Sequence, residues 1–251
     1  MIDSHCHLND PKLLPHLEEI LRRGHAAGVE GYIVPGYDLP SSIQGVKLAQ
    51  EHPEIYGAVG IHPHDAKTWT EEVEEALRGL LQEPKVVALG EIGLDYHYDN
   101  SPRDLQKEVF IRQLELAKEF GKPVVIHSRE AFQDTFEILK EHGQGLEGIF
   151  HCFSGSYESA LRVIGELNFS LSLGGPVTFP NAKEPLDVAT RIPLSRLLLE
   201  TDCPYLTPHP HRGKINEPSY LPFIAETISR SRGEDILEAT TQNAKRLFHL
   251  E

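Results

Sequence analysis

Eight short apolar runs, separated by amphipathic stretches, constrain this chain more than any other feature. They are Met1–Asp3, Gly31–Pro35, Ile55–Gly60, Val86–Gly90, Val124–Ile126, Gly148–Phe150, Phe169–Leu173 and Leu197–Glu200. The runs barely alternate polar with apolar residues, as expected of strands buried on both faces. Helical spacing fills the intervals. Leu13, Leu14, Leu17, Ile20 and Leu21 precede Gly28. Val73, Ala76, Leu77 and Leu80 follow a start signal at Thr70. Leu105, Val109, Arg112, Leu116 and Phe120 form a stripe ended by Gly121; Phe132, Phe136 and Leu139 form another, and Ile236 to Leu250 reads as a final helix. A strand and a helix repeated eight times is the pattern of an α/β (β/α)8 TIM barrel. The 251 residues suit one such domain over 1–251, with no internal repeat and no linker-like segment.

The ends of these runs carry the chemistry. Ile2-Asp3 leads into His5-Cys6-His7, Val86–Gly90 into Glu91, Val124–Ile126 into His127, Gly148–Phe150 into His151, and Leu197–Thr201 into Asp202. A barrel gathers side chains at strand ends into one crevice. His5, His7, Glu91, His127, His151 and Asp202 exceed what one ion takes from protein, so the expectation is two divalent metal ions and hydrolysis. Each residue also has a plainer reading. With 14 histidines in 251 residues, chance alone yields roughly 0.8 His-x-His pairs. Three occur, at His5/His7, His62/His64 and His209/His211, so such a pair is weak until its place at a strand end is added. A solvated Glu91, interior histidines at 127 and 151, and a loop-capping Asp95 are the corresponding alternatives. Glu200 falls on the same side of its strand as Asp202 by alternation, and orients a ligand or holds a loop. Arg129 is either a phosphate contact or an ion pair at a helix start. His62 and His64 read as substrate-binding residues or as a polar rim. Cys6, Cys152 and Cys203 read as small buried hydrophobes rather than ligands.

Composition bounds the partners. The net charge of −14 disfavours a general grip on polyanions, although bound cations would make a crevice locally positive. No apolar run approaches a membrane span, the opening Met1-Ile2-Asp3-Ser4-His5 lacks a signal-peptide pattern, and three cysteines make no disulfide framework. The expected location is therefore cytoplasmic. Mixed His and carboxylate ligands suit Zn, Mn, Co or Fe, and Mg less well.

Taken as a set, the motifs resemble the TatD-type metal-dependent deoxyribonucleases of the wider metal-dependent hydrolases. The resemblance runs from Ile2-Asp3-Ser4-His5-Cys6-His7-Leu8 through Gly60-Ile61-His62-Pro63-His64, Gly90-Glu91-Ile92-Gly93-Leu94-Asp95-Tyr96 and Pro123-Val124-Val125-Ile126-His127-Ser128-Arg129. It continues in His151-Cys152-Phe153-Ser154-Gly155-Ser156, Glu200-Thr201-Asp202 with Pro204-Tyr205-Leu206, Pro210-His211-Arg212-Gly213-Lys214 with Asn216, and Asn243 to Phe248. Glu130 and Cys203 depart from the family pattern, which has Asp and a small residue there. The resemblance implies a barrel with His5, His7, Glu91 and Asp202 on one metal, and Glu91, His127 and His151 on the other. It implies His62 and His64 in the substrate site and Glu200 and Asp95 as supporting acids. The expected activity is phosphodiester hydrolysis of DNA, short or single-stranded, by 3′-to-5′ exonuclease action through a metal-bound hydroxide. Asp202 would act as base, with Arg129 and Arg212 on phosphate; the sequence leaves the oligomeric state, monomer or larger, open. Two rivals stay open: a carboxyl-ester or amide hydrolase, such as an aminoacyl-tRNA deacylase, on the same centre, and a non-catalytic metal-binding protein, whose mark would be a lost ligand.

Overall fold

The structure, a computed structural model, describes residues 1–250. Its strands are β1 (Ile2–Asp3), β2 (Gly31–Pro35), β3 (Ile55–Val59), β4 (Val86–Asp95), β5 (Val124–Arg129), β6 (Gly148–Phe150), β7 (Ser170–Leu173) and β8 (Leu197–Leu199). Its helices are α1 (Leu17–Ala26), α2 (Leu39–Glu51), α3 (Glu71–Leu81), α4 (Arg103–Phe120), α5 (Phe132–His142), α6 (Tyr157–Leu167), α7 (Lys183–Arg191), α8 (Leu221–Arg232) and α9 (Leu237–Phe248). The eight parallel strands follow one another in the sheet in chain order, each succeeded by helix. The backbone N–H of Ser4 donates to the carbonyl of Leu199 at 2.9 Å, which returns the last strand to the first. This is the (β/α)8 barrel that the alternation predicts.

Local chemistry explains the elements. The Thr70 hydroxyl caps α3 by accepting the Val73 N–H at 3.3 Å, and Glu71, Glu72 and Glu74 face its positive end. Gly121 ends α4 at φ 61°, a left-handed cap that costs glycine nothing. The strands are largely buried, β2 at every position, while β5 emerges at its end, where Arg129 is exposed.

Two expectations need correction. First, β4 does not stop at Gly90. It continues to Asp95, with a register irregularity at Glu91, because main-chain pairing with β5 (Gly93 with His127, Asp95 with Arg129) needs no apolar side chains. β5 likewise runs past Ile126 to Arg129, so Glu91 and His127 both sit within strands rather than at their ends. Second, of the Leu105, Val109, Arg112, Leu116 and Phe120 stripe only Val109 and Leu116 lie on the buried face of α4. That face is Gln106, Val109, Phe110, Gln113, Leu114, Leu116 and Ala117, while Arg112 turns outward to Glu74 at 2.9 Å. A buried glutamine is acceptable there because its amide finds backbone partners.

The chain forms two compact units. One comprises residues 1–34, 151–164 and 170–251; the other comprises 35–150 and 165–169. The first carries β1, β7 and β8, most of β2, and α1, α7, α8 and α9. The second carries β3 to β6 and α2 to α5. No helix among the described residues is long and apolar enough to cross a membrane.

Candidate metal centre

In the first unit, backbone bonds bring the ligand-bearing turns together. Asp202 N–H donates to the His5 carbonyl and His7 N–H to the Cys203 carbonyl, both at 2.9 Å. Side chains from opposite ends of the sequence then meet. His5 Nε2 and His7 Nε2 face each other at 3.2 Å and lie 3.7 and 3.5 Å from Asp202 Oδ1. The His151 ring stacks on His5 with centroids 3.9 Å apart. Ligand atoms of His5, His151 and Asp202 all lie within 4.8 Å of one another. Burial alone would push the Asp202 carboxyl up, but the hydrogen bond from His7 and the fields of His5 and His151 hold it below the usual carboxylate range. Asp202 also adopts φ 55°, a left-handed backbone that Asp tolerates better than most residues.

Two acids support this group. Glu200, fully buried, accepts the Cys152 N–H at 2.8 Å and lies 3.5 Å from His151 Nδ1, so it orients the turn that presents His151. Asp3 accepts the Thr201 N–H at 2.9 Å and the Thr201 hydroxyl at 2.6 Å, tying β1 to the Asp202 turn. Cys6 and Cys203 are buried beside these turns, and Cys6 Sγ meets the Ile33 carbonyl, so Cys6 faces away from His5 and His7 as alternation predicts.

The second unit holds another group. His127 places Nδ1 2.7 Å from Glu91 Oε1 and Nε2 2.9 Å from Asp95 Oδ2. Asp95 performs both roles that the sequence left open. Its Oδ1 accepts the N–H groups of His97 and Tyr98 at 3.0 Å, capping the loop, while its Oδ2 meets His127 and, at 3.1 Å, His64 Nε2. Burial acts to raise the Asp95 carboxyl, yet these partners together hold it well below the usual range. His62 Nδ1 accepts the His64 N–H at 3.1 Å, and Nε2 lies 3.3 Å from Glu91 Oε1. Burial, then the neighbouring His127, push His62 down to about 4, so the ring is neutral at pH 7. With Nδ1 accepting, the remaining proton sits on Nε2 and points at Glu91. His62 thus braces Glu91 and has no lone pair free on that side.

Both groups fit a divalent ion. The donors are imidazoles and carboxylates and are largely buried: ligand atoms of His5, His151 and Asp202 converge within 4.8 Å, and in the second group Glu91 and His127 supply the carboxylate and the imidazole while His62 braces Glu91. Two imidazole nitrogens aimed at each other across 3.2 Å can share only one hydrogen, whereas an ion accepts a lone pair from each.

The sequence profile described as TatD related DNase matches residues 2–249. The chain belongs to the TatD family. It is 50% identical over its full length to the metal-dependent hydrolase YabD of Bacillus subtilis, covering 99% of that protein. A 3′-5′ ssDNA/RNA exonuclease TatD of Escherichia fergusonii is 36% identical over 99% of this chain and 98% of its own length. The crystal structure of YJJV, a TatD homologue of Escherichia coli K12, superposes with a TM-score of 0.95 at 33% identity, covering 100% of this chain and 98% of that one. The protein is accordingly a metal-dependent hydrolase of the TatD family.

Other expected residues of this TatD protein fall elsewhere. Arg129 is exposed and stacks on Tyr98, with its guanidinium 4.9 Å from the ring centroid. Arg212 donates to the Thr207 carbonyl at 3.0 Å and lies over Phe179, so it braces its own loop. His211 of the third His-x-His pair stacks on Tyr220. Sequence reasoning passed over Gln106 and Gln113. Each is 1% exposed. Gln113 Oε1 accepts the Ile61 N–H at 2.7 Å and its Nε2 donates to the Ile61 carbonyl at 2.9 Å; Gln106 does the same for Asp95 at 2.9 and 3.0 Å. Their seven-residue spacing on one helix, which returns to nearly the same face, is the signal that could have found them.

Proposed function

We propose that the protein hydrolyses phosphodiester bonds at the 3′ end of single-stranded DNA through a dinuclear metal centre. In this reading His5, His7, Asp202 and Glu91 hold one ion, and Glu91, His127 and His151 hold the other. The observation that carries it is the convergence of His5, His7, His151 and Asp202 with ligand atoms in close reach and buried from water. When bound, the ions supply Lewis-acid polarisation of the phosphoryl group and acidify a water near neutral pH. The chain's own residues do the rest. Asp202 takes the proton of the attacking water on its carboxylate. His62 holds the Glu91 carboxylate in place, and Asp95 holds the His127 ring. Arg129 is the phosphate contact, and its exposed guanidinium suits that role. Three free cysteines support a reducing, cytosolic setting.

Glu91→Ala tests the centre. Cleavage of end-labelled single-stranded DNA in Mg²⁺, Mn²⁺ or Zn²⁺ should fall on the order of 10³-fold or more with the circular-dichroism spectrum unchanged, and a chelator should silence the wild type equally. Retained metal-dependent cleavage by the variant would defeat the assignment. The net charge of −14 favours a second reading, attack on a small carboxyl ester or amide by the same centre. Turnover of an aryl phosphodiester against an aryl ester separates the two.

A further inference from the structure

A chain carrying a net charge of −14 gains little from general attraction to a polyanion, so a nucleic-acid substrate must be held by something other than a basic surface. The loop after β4 supplies an alternative. Tyr98 is 55% exposed, which is unusual for so large a ring on this surface. Its N–H is fixed by Asp95 Oδ1 at 3.0 Å, the same carboxylate that meets His127 and His64 through Oδ2. The ring stands edge-to-face with His64 at 5.4 Å and with His97 at 4.7 Å between centroids, and the Arg129 guanidinium covers it at 4.9 Å. The ring is therefore held in place before any ligand arrives, against His64, which meets the same Asp95 carboxylate as His127, and with a cation on its face.

The first unit repeats the arrangement on its own. Tyr205 is 48% exposed, its hydroxyl donates to Asp10 Oδ2 at 3.1 Å, the Lys12 ammonium lies 5.4 Å from its ring centroid, and the His7 ring stands 6.2 Å away edge-to-face. An exposed, anchored aromatic ring with a cation on it and a ligand-type histidine at its side thus occurs once in each unit. A planar base joined to a phosphate matches that combination; a small aliphatic ester uses neither part. Bases are available to such a ring in a single strand and not in a duplex.

We infer that Tyr98 stacks on a nucleobase of single-stranded nucleic acid while Arg129 meets the adjoining phosphate, and that Tyr205 with Lys12 gives the first unit an equivalent platform of its own. The inference rests on the nuclease reading and deepens it. It makes the substrate single-stranded, makes recognition tolerant of sequence, and places the strand by stacking rather than by charge.

The test uses a metal-loaded full-length protein, a short single-stranded oligonucleotide, and the same strand with abasic sites at its 3′-terminal positions. Tyr98→Ala should raise KM for the complete strand by about tenfold or more, the effect expected for one lost stacking contact, and leave the abasic strand within about twofold. Tyr98→Phe, which keeps the ring, should stay within about twofold of wild type on both. A 2-aminopurine placed at the 3′-terminal positions should be quenched on binding to wild type and to Tyr98→Phe, and not to Tyr98→Ala. Arg129→Ala should reduce the slope of log affinity against log salt by about 0.7, one phosphate's share for a single strand. Equal losses on complete and abasic strands, or a Tyr98→Phe as impaired as Tyr98→Ala, would overturn the stacking role while leaving the nuclease reading intact. A wild type that neither binds nor cleaves the complete strand would overturn both.

Discussion

Gln113 offers the sharpest test of how this fold positions its histidines. The residue lies in the middle of α4, 1% exposed, and both of its amide bonds go to the main chain of Ile61, immediately before His62. Gln113→Met keeps approximate volume and removes both partners at once. The Ile61 N–H and C=O are then left buried, since Ile61 is 1% exposed. One buried backbone group without a partner costs about 1–3 kcal/mol, so the pair should cost about 2–6 kcal/mol. Urea unfolding followed by Trp69 fluorescence is the assay. Trp69 is the single tryptophan and directly follows the 3-10 turn Pro63–Thr68 that carries His64, so its emission should also shift in the folded state. Gln113→Glu adds a sign. A buried carboxylic acid retains an acceptor for Ile61 N–H and, when protonated, a donor for its carbonyl. Its folded pKa is raised by burial, so its stability relative to wild type is greatest at low pH and falls as pH rises through that folded value. A loss under about 1 kcal/mol in Gln113→Met, or a Gln113→Glu whose stability relative to wild type rises with pH, would refute the reasoning.

Two further outcomes follow from the structure. Gly93 adopts φ 141°, and a Cβ added there would lie 1.9 Å from the His127 carbonyl oxygen, so Gly93→Ala should destabilise by about 3 kcal/mol or more and weaken metal binding in an isothermal titration; unchanged stability would mean that β4 and β5 do not run this closely. Glu217 receives Arg23 Nε at 2.8 Å and Arg23 Nη2 at 2.6 Å, together with the Ser219 hydroxyl; burial pushes its carboxyl up, but these bonds more than offset that and hold it below the usual range. The depressed value stabilises the fold above the unfolded pKa and is lost as pH falls through the folded one. Glu217→Gln should therefore cost about 1 kcal/mol at pH 7, a figure kept small because Arg23 is partly exposed, and the gap to wild type should close as pH falls through the folded value, as read from Tm against pH. A gap that does not narrow on acidification would show that the pair's charge is not its contribution.

The eight buried runs, their helical intervals and the ligand-type residues beside them were legible in the sequence because each is a local signal. Strand ends follow from apolar runs, and a histidine two residues from another stays on its side in extended chain, as His5 and His7 do. Thr70 and Gly121 marked helix ends for the same reason. Local patterns failed where main-chain pairing outran hydrophobicity, as in β4 beyond Gly90, and where polar groups were buried, as at Gln106 and Gln113. Periodicity treats a glutamine as a surface residue, yet an amide is the one side chain that can satisfy both an N–H and a C=O of a distant strand. Asp95 shows the same division: its sequence neighbours announce a loop cap, while its hold on His64 and His127 depends on strands separated by whole helices. What the sequence determined alone was the identity and order of the strand-borne acids and imidazoles. Which oxygen faces which ring, and that Tyr98 stands exposed beside them, was decided by tertiary packing, because those contacts join residues 30 to 200 positions apart whose spacing no local pattern encodes.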